Sequence, residues 1–388
     1  MLLNTIERLC KKNMLHICTV GIGNAGNQIS DLAMKMYNIP GIAINSSQKD
    51  LMNVSKIPKI VVGDNKGAGK NREEAKRFVK QHAQTLLTTE SFTKHIEEND
   101  ITFIISSVGG GTGSGMAPIL TDILSRQYSD KKFVLIEVYP PLSESIAAQQ
   151  NSIDYLKEVK SFLPNVVYLA YDNNKRADLT TPEMMKAINE EIVNTLVVFR
   201  GEYLYPTPFN SIDEKDMLRF FETSGRMAVY ILDNIKEKDF DNKSLEDAII
   251  DLIKNKSTNV ELDRDGVVKR LGVIANLNSN ISKMFDTKLT KVKELIGEPV
   301  ESYEHMYMTT NADEENRLIL ILSGLSIPDD RLTKMVQRIK EGLNELSSVK
   351  ESSILDSMDT NNIRDLRNEH SSSNKSLDFD ELFNKYDS

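Results

Sequence analysis

The sequence predicts an α/β protein with a parallel sheet covered by helices on both faces, followed by a smaller mixed α/β unit. Three observations carry this. Short apolar strands alternate with helix-period segments through the first half of the chain, glycine-rich loops fall where those strands end, and a long periodic segment then separates a second region. Alternation of this kind implies βαβ crossovers, which bury both faces of the sheet and leave ligands at the carboxyl ends of the strands.

Taken in order, residues 14–21 read as a strand entering a glycine turn, and Ile29, Leu32, Ala33 and Met36 then recur at helical spacing. Residues 42–44 and 60–62 read as short strands, 72–87 as a helix, 101–108 as a strand, 116–126 as a helix, and 133–138 and 166–170 as strands. Pro182 stands near the front of a segment carrying Met184, Ile188, Ile192, Leu196 and Phe199, which predicts a long helix with Thr181 as its cap. It ends at Arg200 and Gly201, and Pro206 and Pro208 forbid its continuation. In the second region residues 217–221 read as helix, 227–232 as strand, 245–253 as helix, and 271–277 and 318–322 as strands. Residues 328–346 are again helical in pattern. The predicted divisions are therefore 14–180, the connecting helix 181–201, the second domain 202–327, a C-terminal helix 328–347, and an acidic tail 348–388. Apolar residues are too sparse in that tail to offset ordering entropy, so disorder is expected. Residues 376–383, SLDFDELF, interleave acidic and apolar side chains and read either as a short recognition element or as a solvated tail.

With 388 residues, 40% of them apolar, the chain can bury a substantial core. Its 57 acidic and 48 basic residues leave a net charge of −9, which argues against direct attachment to nucleic acid or to an anionic bilayer. Cys10 and Cys18 are too few for a disulfide framework, and the five histidines lack ligand spacing, so no structural zinc is expected. No stretch approaches the length of a membrane span and the N-terminus makes a poor signal peptide, which predicts a reduced, cytoplasmic setting.

The most informative segment is GGGTGSG at residues 109–115, set between a strand and a helix. Glycine removes the Cβ atoms that keep a backbone from a ligand and permits positive φ, and a helix start aims free N–H groups at one point. A phosphate fits there. Residues 21–26, GIGNAG, satisfy G-x-G-x-x-G after a strand, and residues 67–71, GAGKN, offer a third loop. A nicotinamide site would want an acidic residue at the end of the next strand, where this chain has Asn45, Ser46 and Ser47. Three phosphate-facing loops suggest a nucleoside triphosphate, yet the Walker pattern is absent because Asn71 follows Lys70.

On these residues the chain resembles the tubulin/FtsZ superfamily of GTP-dependent filament proteins over about residues 14–325. GGGTGSG is similar to the family's signature loop, and the other loops follow in the family's order. The resemblance implies a tubulin/FtsZ-like fold binding GTP or GDP, with Mg²⁺ accompanying the triphosphate. It implies nucleotide contacts from Gly21, Gly23, Asn24, Ala25, Gly26 and Asn27 in the first loop, and from Gly67, Ala68, Gly69, Lys70 and Asn71 in the third. It implies further contacts from Gly109, Gly110, Gly111, Thr112, Gly113, Ser114 and Gly115, from Glu144 on the ribose side, and from Asn173 and Asn189 to the guanine. An asparagine carries both a donor and an acceptor, as a guanine edge requires; a loop or solvent-facing Asn is the plainer role for each. Thr112 and Ser114 either add hydroxyl donors to the cradle or cap the loop locally. Lys70 either reaches the terminal phosphate or stays solvated.

Residues 210–216, NSIDEKD, resemble the family's catalytic loop, whose two acids act on the nucleotide of the neighbouring subunit; Asp213 and Asp216 have that spacing. Helix capping is their alternative role. Ser211 stands where the family has an Asn. The acidic terminus without proline after Pro328, the C-terminal helix and the variant catalytic loop resemble the TubZ group of plasmid and phage tubulins. That implies self-assembly into head-to-tail filaments, and DNA moved through a DNA-binding adaptor on the C-terminal tail rather than by direct nucleic-acid or membrane binding. A division-ring GTPase of the FtsZ type and, more remotely, a nicotinamide oxidoreductase are the rivals.

Overall fold

In the computed structural model, residues 15–237, 245–263, 267–283, 285, 288–309 and 315–351 are described; Cys10 and the tail from 352, with its 376–383 segment, lie outside them. All six residues of β1 (Ile17–Ile22) are buried, as a strand covered on both faces requires. β2 (Gly41–Asn45) and β3 (Lys59–Val61) extend the sheet on one side. β4 (Ile101–Ser107), β5 (Lys132–Tyr139) and β6 (Val167–Asp172) extend it on the other. All pairings among these six strands are parallel. β7 (Gly225–Leu232), β8 (Arg270–Leu277), β9 (Glu301–Met308) and β10 (Arg317–Leu325) continue the same sheet in the order β6-β7-β10-β8-β9. The second region's mixed sheet is thus joined to the first through three parallel pairs beginning at Val167 with Gly225. Its β10 runs antiparallel to both β7 and β8.

The crossovers are α1 (Gly23–Tyr37), α2 (Arg72–Thr88), α3 (Glu90–Glu97), α4 (Thr112–Gln127) and α5 (Ile146–Phe162). α6 (Thr181–Phe199) is the predicted long helix. Its cap is Thr180, one residue before the expected Thr181: the Thr180 N–H and hydroxyl both donate to Glu183, which places Pro182 in the first turn. α7 (Glu214–Arg219), α8 (Leu245–Asp251) and α9 (Thr290–Ile296) are short, and α10 (Asp329–Glu351) closes the described chain. By contacts the chain divides into two units, Met1–Ile339 and Lys340–Ser388, and every side chain discussed below belongs to the first.

Met184, Ile188, Ile192 and Leu196 of α6 lie in one core cluster with strand residues of both regions, among them Phe103, Ile136, Met227 and Ile321. Phe199 stacks on Phe103 with ring centroids 5.8 Å apart and meets Phe221 edge-on at 4.8 Å. A second cluster packs Leu245, Ile249, Val292 and Ile296 against the other face of β8 and β10. Helices α3, α5 and α9 and strand β9 were not expected from sequence. Half of the residues that α5 buries, Ala148, Gln149 and Ser152, are small or polar, which weakens its apolar periodicity. β9, ESYEHMYM, is an edge strand with only His305 buried.

Between the sheet and α5 runs a buried polar seam: Ser106, Glu137 and Ala170 are register partners, and Tyr139, Tyr155 and Arg226 are fully buried beside them. The Glu137 carboxylate accepts from the Tyr139 hydroxyl at 3.2 Å. Burial pushes its pKa up from 4.5 to about 8. The folded protein therefore holds a proton that the unfolded chain releases between those values, so stability falls as pH rises through that window. Glu137→Gln should flatten this dependence and melt higher than wild type at pH 8, by on the order of a few kcal/mol; paired denaturation curves from pH 5 to 9 check it.

Candidate functional site

The first turns of α1 and α4 meet at the carboxyl edge of the sheet. β1 and β4 are adjacent and parallel, with Ile22 opposite Ser106; β1 runs directly into α1, and β4 reaches α4 through residues 108–111. The cap residues Ile22 and Gly111 make no side-chain cap bond. A Cβ on Gly23, whose φ is +74°, would lie 3.1 Å from the Gly113 nitrogen. Unclaimed N–H groups and two positive dipole ends therefore face one space, an arrangement that suits an anion. Gly21 and Gly26 serve packing instead: a Cβ on Gly26 would fall on the Ile105 carbonyl, and one on Gly21 on the Gly26 carbonyl. Asn24 is exposed and accepts from Gln28 at 3.0 Å, Ala25 is half-buried, and Asn27 is fully buried with Oδ1 accepting from the Ile44 N–H at 3.1 Å.

None of the five glycines of residues 109–115 has positive φ, contrary to the expectation from sequence; room is what they supply. A Cβ on Gly111 would come within 2.8 Å of the Lys70 backbone and one on Gly109 within 2.9 Å of Pro140. Gly113 faces the Ile22 and Ser107 carbonyls, and Gly115 the Arg72 carbonyl. A Cβ on Gly110 would have no other atom closer than 4.0 Å. The left-handed backbone occurs in the neighbouring loop, at Gly67, Gly69 and Lys70. Ala68 is buried there, and Asn71 caps α2 by accepting from the Glu73 and Glu74 N–H groups.

Two residues not anticipated from sequence tie these loops together. The Asn151 side-chain amide donates to the carbonyls of Lys70, Gly109 and Gly110 at 3.0, 3.2 and 3.3 Å. Arg72, 5% exposed, supplies the second brace. Pro118 has no N–H to offer the Ser114 carbonyl four residues back, and Arg72 Nη2 donates to that carbonyl at 3.1 Å. Arg72 Nε also donates to Ser114 Oγ, which in turn donates to the Gly110 carbonyl, so this hydroxyl is engaged within the loop. Glu158 of α5 holds both Arg72 and Lys76. Thr112 Oγ1 lies 2.7 Å from Ser46 Oγ. Lys70 Nζ sits 3.3 Å from Glu144 and 3.2 Å from Ser145 Oγ, an exposed pair across the mouth.

On the far side of the same edge, Asn173 opens a single 3₁₀ turn after β6 and Asn189 lies midway along α6. Both are half-buried, and neither side chain bonds another described residue. Glu191 anchors α6 by accepting from Ser257, Thr258 and Asn259. Asp172 is buried against Arg331 of α10.

Asp213 and Asp216 lie at the opposite edge. They precede β7, whose Gly225 pairs with Val167, the first residue of β6, whereas Asn173 follows the last. The length of β6 alone separates these ends by about 17 Å. The acids form a reciprocal capping box, Asp216 N–H to Asp213 at 2.9 Å and Asp213 N–H to Asp216 at 3.2 Å, which leaves one carboxylate oxygen of each uncommitted among the described residues. Their loop is held by β9: Met306 N–H donates to the Asn210 carbonyl at 3.0 Å, and Ile212 N–H donates to His305 Nδ1 at 3.4 Å. Burial pushes the His305 imidazole down to about 4, so it is a neutral acceptor. No helix among the described residues is long and apolar enough to cross a membrane.

A parallel sheet with paired helix starts at its carboxyl edge is an arrangement at which α/β proteins bind nucleotides. Residues 16–180 match the Tubulin/FtsZ family, GTPase domain. The tubulin-like protein CetZ of Pyrococcus horikoshii is 28% identical over 186 residues, 46% of this chain and 50% of that protein. The chain thus spans about half the length of the curated CetZ relatives it matches. Cell division protein FtsZ 1 of Thermococcus kodakarensis is 24% identical over 336 residues, 83% of this chain and 84% of that one. Among solved structures, a GTPγS-form protofilament of Bacillus thuringiensis serovar israelensis TubZ superimposes with a TM-score of 0.71 at 18% identity, covering 89% of this chain and 99% of that one. GDP-bound CetZ1 from Haloferax volcanii gives 0.66 at 19%, covering 85% and 100%. Residues 16–180 thus match the GTPase domain of the Tubulin/FtsZ family, and the chain has the tubulin/FtsZ fold.

Gly111→Val should lower nucleotide affinity at least about tenfold, by pushing the 67–71 loop away from the cradle rather than by filling the phosphate's approach. Asn151→Ala should cost about 1–3 kcal/mol of loop bracing and weaken binding with little loss of fold. Equilibrium nucleotide binding alongside thermal melts checks both.

Proposed function

We propose that the chain is a GTP-hydrolysing protein that assembles head to tail, each GTP being hydrolysed between two subunits. The observation that carries this reading is the placement of the phosphate cradle and of Asp213 and Asp216 at opposite edges of one sheet. Within one molecule they do not meet. Stacked along the strand direction, the acids of one subunit face the cradle of the next, and such a heterologous contact propagates as a filament. CetZ2 from Haloferax volcanii and TubZ-Bt have been described as a protofilament and a two-stranded filament, and the same habit is proposed here.

In this reading residues 14–180 form the nucleotide domain, 181–201 the connecting helix and 202–327 the domain bearing the acids. The N–H groups of the α1 and α4 first turns hold the phosphates, and Asn173 and Asn189 meet the donor and acceptor edge of guanine. Asp213 and Asp216 orient a water whose oxygen attacks the γ-phosphorus as the bond to the β,γ-bridging oxygen breaks, yielding GDP and phosphate. A magnesium ion bound with the triphosphate would supply charge neutralisation.

For cargo, the net charge of −9 supports DNA carried through a basic adaptor rather than by direct contact. The 83% coverage of FtsZ 1 favours a division-ring role as the second reading. Removing residues 352–388 and asking whether binding to a DNA-bound adaptor or to a membrane adaptor is lost decides between them. A nicotinamide enzyme is disfavoured because β2 ends in Asn45.

Asp213→Asn retains a good helix cap and removes the charge, so GTP binding and assembly should persist while turnover falls about 10²-fold or more. Asp213→Ala should in addition cost about 1 kcal/mol of stability. Phosphate-release assays with electron microscopy of GTP-grown filaments read this out, and wild-type turnover in Asp213→Asn would reduce these acids to capping residues.

A further inference from the structure

Asp172 closes β6 and Arg331 lies in the first turn of α10. Across 159 residues they form a two-point ion pair, Nε to Oδ2 at 2.6 Å and Nη2 to Oδ1 at 3.0 Å, with side chains 4% and 6% exposed. The same Nη2 donates to the Pro140 carbonyl at 2.7 Å. Pro140 follows β5 and opens the loop that carries Glu144. Asp172 directly precedes Asn173, and its Oδ1 also accepts the Asn174 N–H at 2.9 Å. Asn174 Oδ1 then accepts the Leu142 N–H at 3.3 Å, closing a ring between the two loops. One guanidinium thus holds the ends of both strands from which the ribose-side loop and the Asn173 turn depart. The helix start bearing Arg331 is itself fixed, because Asp263 accepts from the Asp329 and Asp330 N–H groups at 3.3 and 3.4 Å.

A buried pair of this kind adds little net stability, since desolvation offsets attraction. What a planar bidentate fork does supply is a fixed orientation of its partner. We propose that Arg331 is a positioning residue for base recognition: through Asp172 it sets the turn that presents Asn173, and through Pro140 the loop bearing Glu144. Guanine selectivity then depends on the first turn of the C-terminal helix, which reaches the base side through Asp172 and Pro140. This rests on the reading of Asn173 as a guanine contact.

The test measures dissociation constants of the purified full chain for GTPγS and ATPγS, by competition against a fluorescent guanine nucleotide, in wild type, Arg331→Lys, Asn173→Ala and the double variant. Arg331→Lys keeps the charge but loses the fork. It should weaken GTPγS about tenfold while changing ATPγS less than about twofold, and it should add nothing further in the Asn173→Ala background. Asp172→Asn with Arg331→Met, which removes both buried charges together, should show the same loss of selectivity and carries the test should the lysine variant fail to fold. Equal losses for both nucleotides, or full additivity with Asn173→Ala, would overturn the proposal. Absence of any GTPγS preference in the wild-type chain would instead remove the guanine reading itself, a result distinguishable from selectivity lost on substitution.

Discussion

The direction of the parallel strands governs everything else in this molecule. Because β1, β4, β5 and β6 run the same way, their carboxyl ends bring two helix starts, the 67–71 loop, Glu144 and Asn173 to one edge. The return along α6 is what takes the chain to the other edge, where Asp213 and Asp216 cap α7. Nineteen residues of helix span about 28 Å, enough to cross the sheet once. A single subunit is therefore divided into an edge where helix starts gather and an edge that offers carboxylates.

Each face is stiffened by polar side chains that reach across the fold. Arg72 and Asn151 replace backbone hydrogen bonds that Pro118 and the glycine-rich turn cannot make, so the cradle is braced from outside as well as by its own Ser114 hydroxyl. Arg331 does the equivalent on the base side. At the opposite edge, β9 supports the loop from 207 to 212 through Met306 and neutral His305. These braces act before any ligand arrives, which reduces the ordering that binding would otherwise require.

Much of this was legible in the chain. The buried strands announced themselves as apolar runs, Pro182 and Gly201 bracketed the long helix, and GGGTGSG marked the passage from β4 into α4. The spacing of Asp213 and Asp216 pointed both to catalysis and to capping, and the capping half is directly visible. What escaped were features whose meaning is non-local. Arg72 reads as a helix-start residue until Pro118 is brought beside it, Asn151 sits on a helix whose small buried residues hide its period, and Asp172 pairs with a residue far along the chain. β9 has glutamates on both faces and no β-branched residue, so nothing local distinguished it from loop. Glu137 broke the apolar pattern of β5 without revealing that its partners were tyrosines from a helix and an adjoining strand position.

The most direct test of an active centre shared between subunits is GTP turnover per subunit as protein is diluted, with sedimentation on the same samples to report polymer. The account predicts that turnover per subunit falls towards zero as polymer disappears and rises to a plateau once assembly is complete. Constant turnover per subunit, persisting where only monomers sediment, would contradict it.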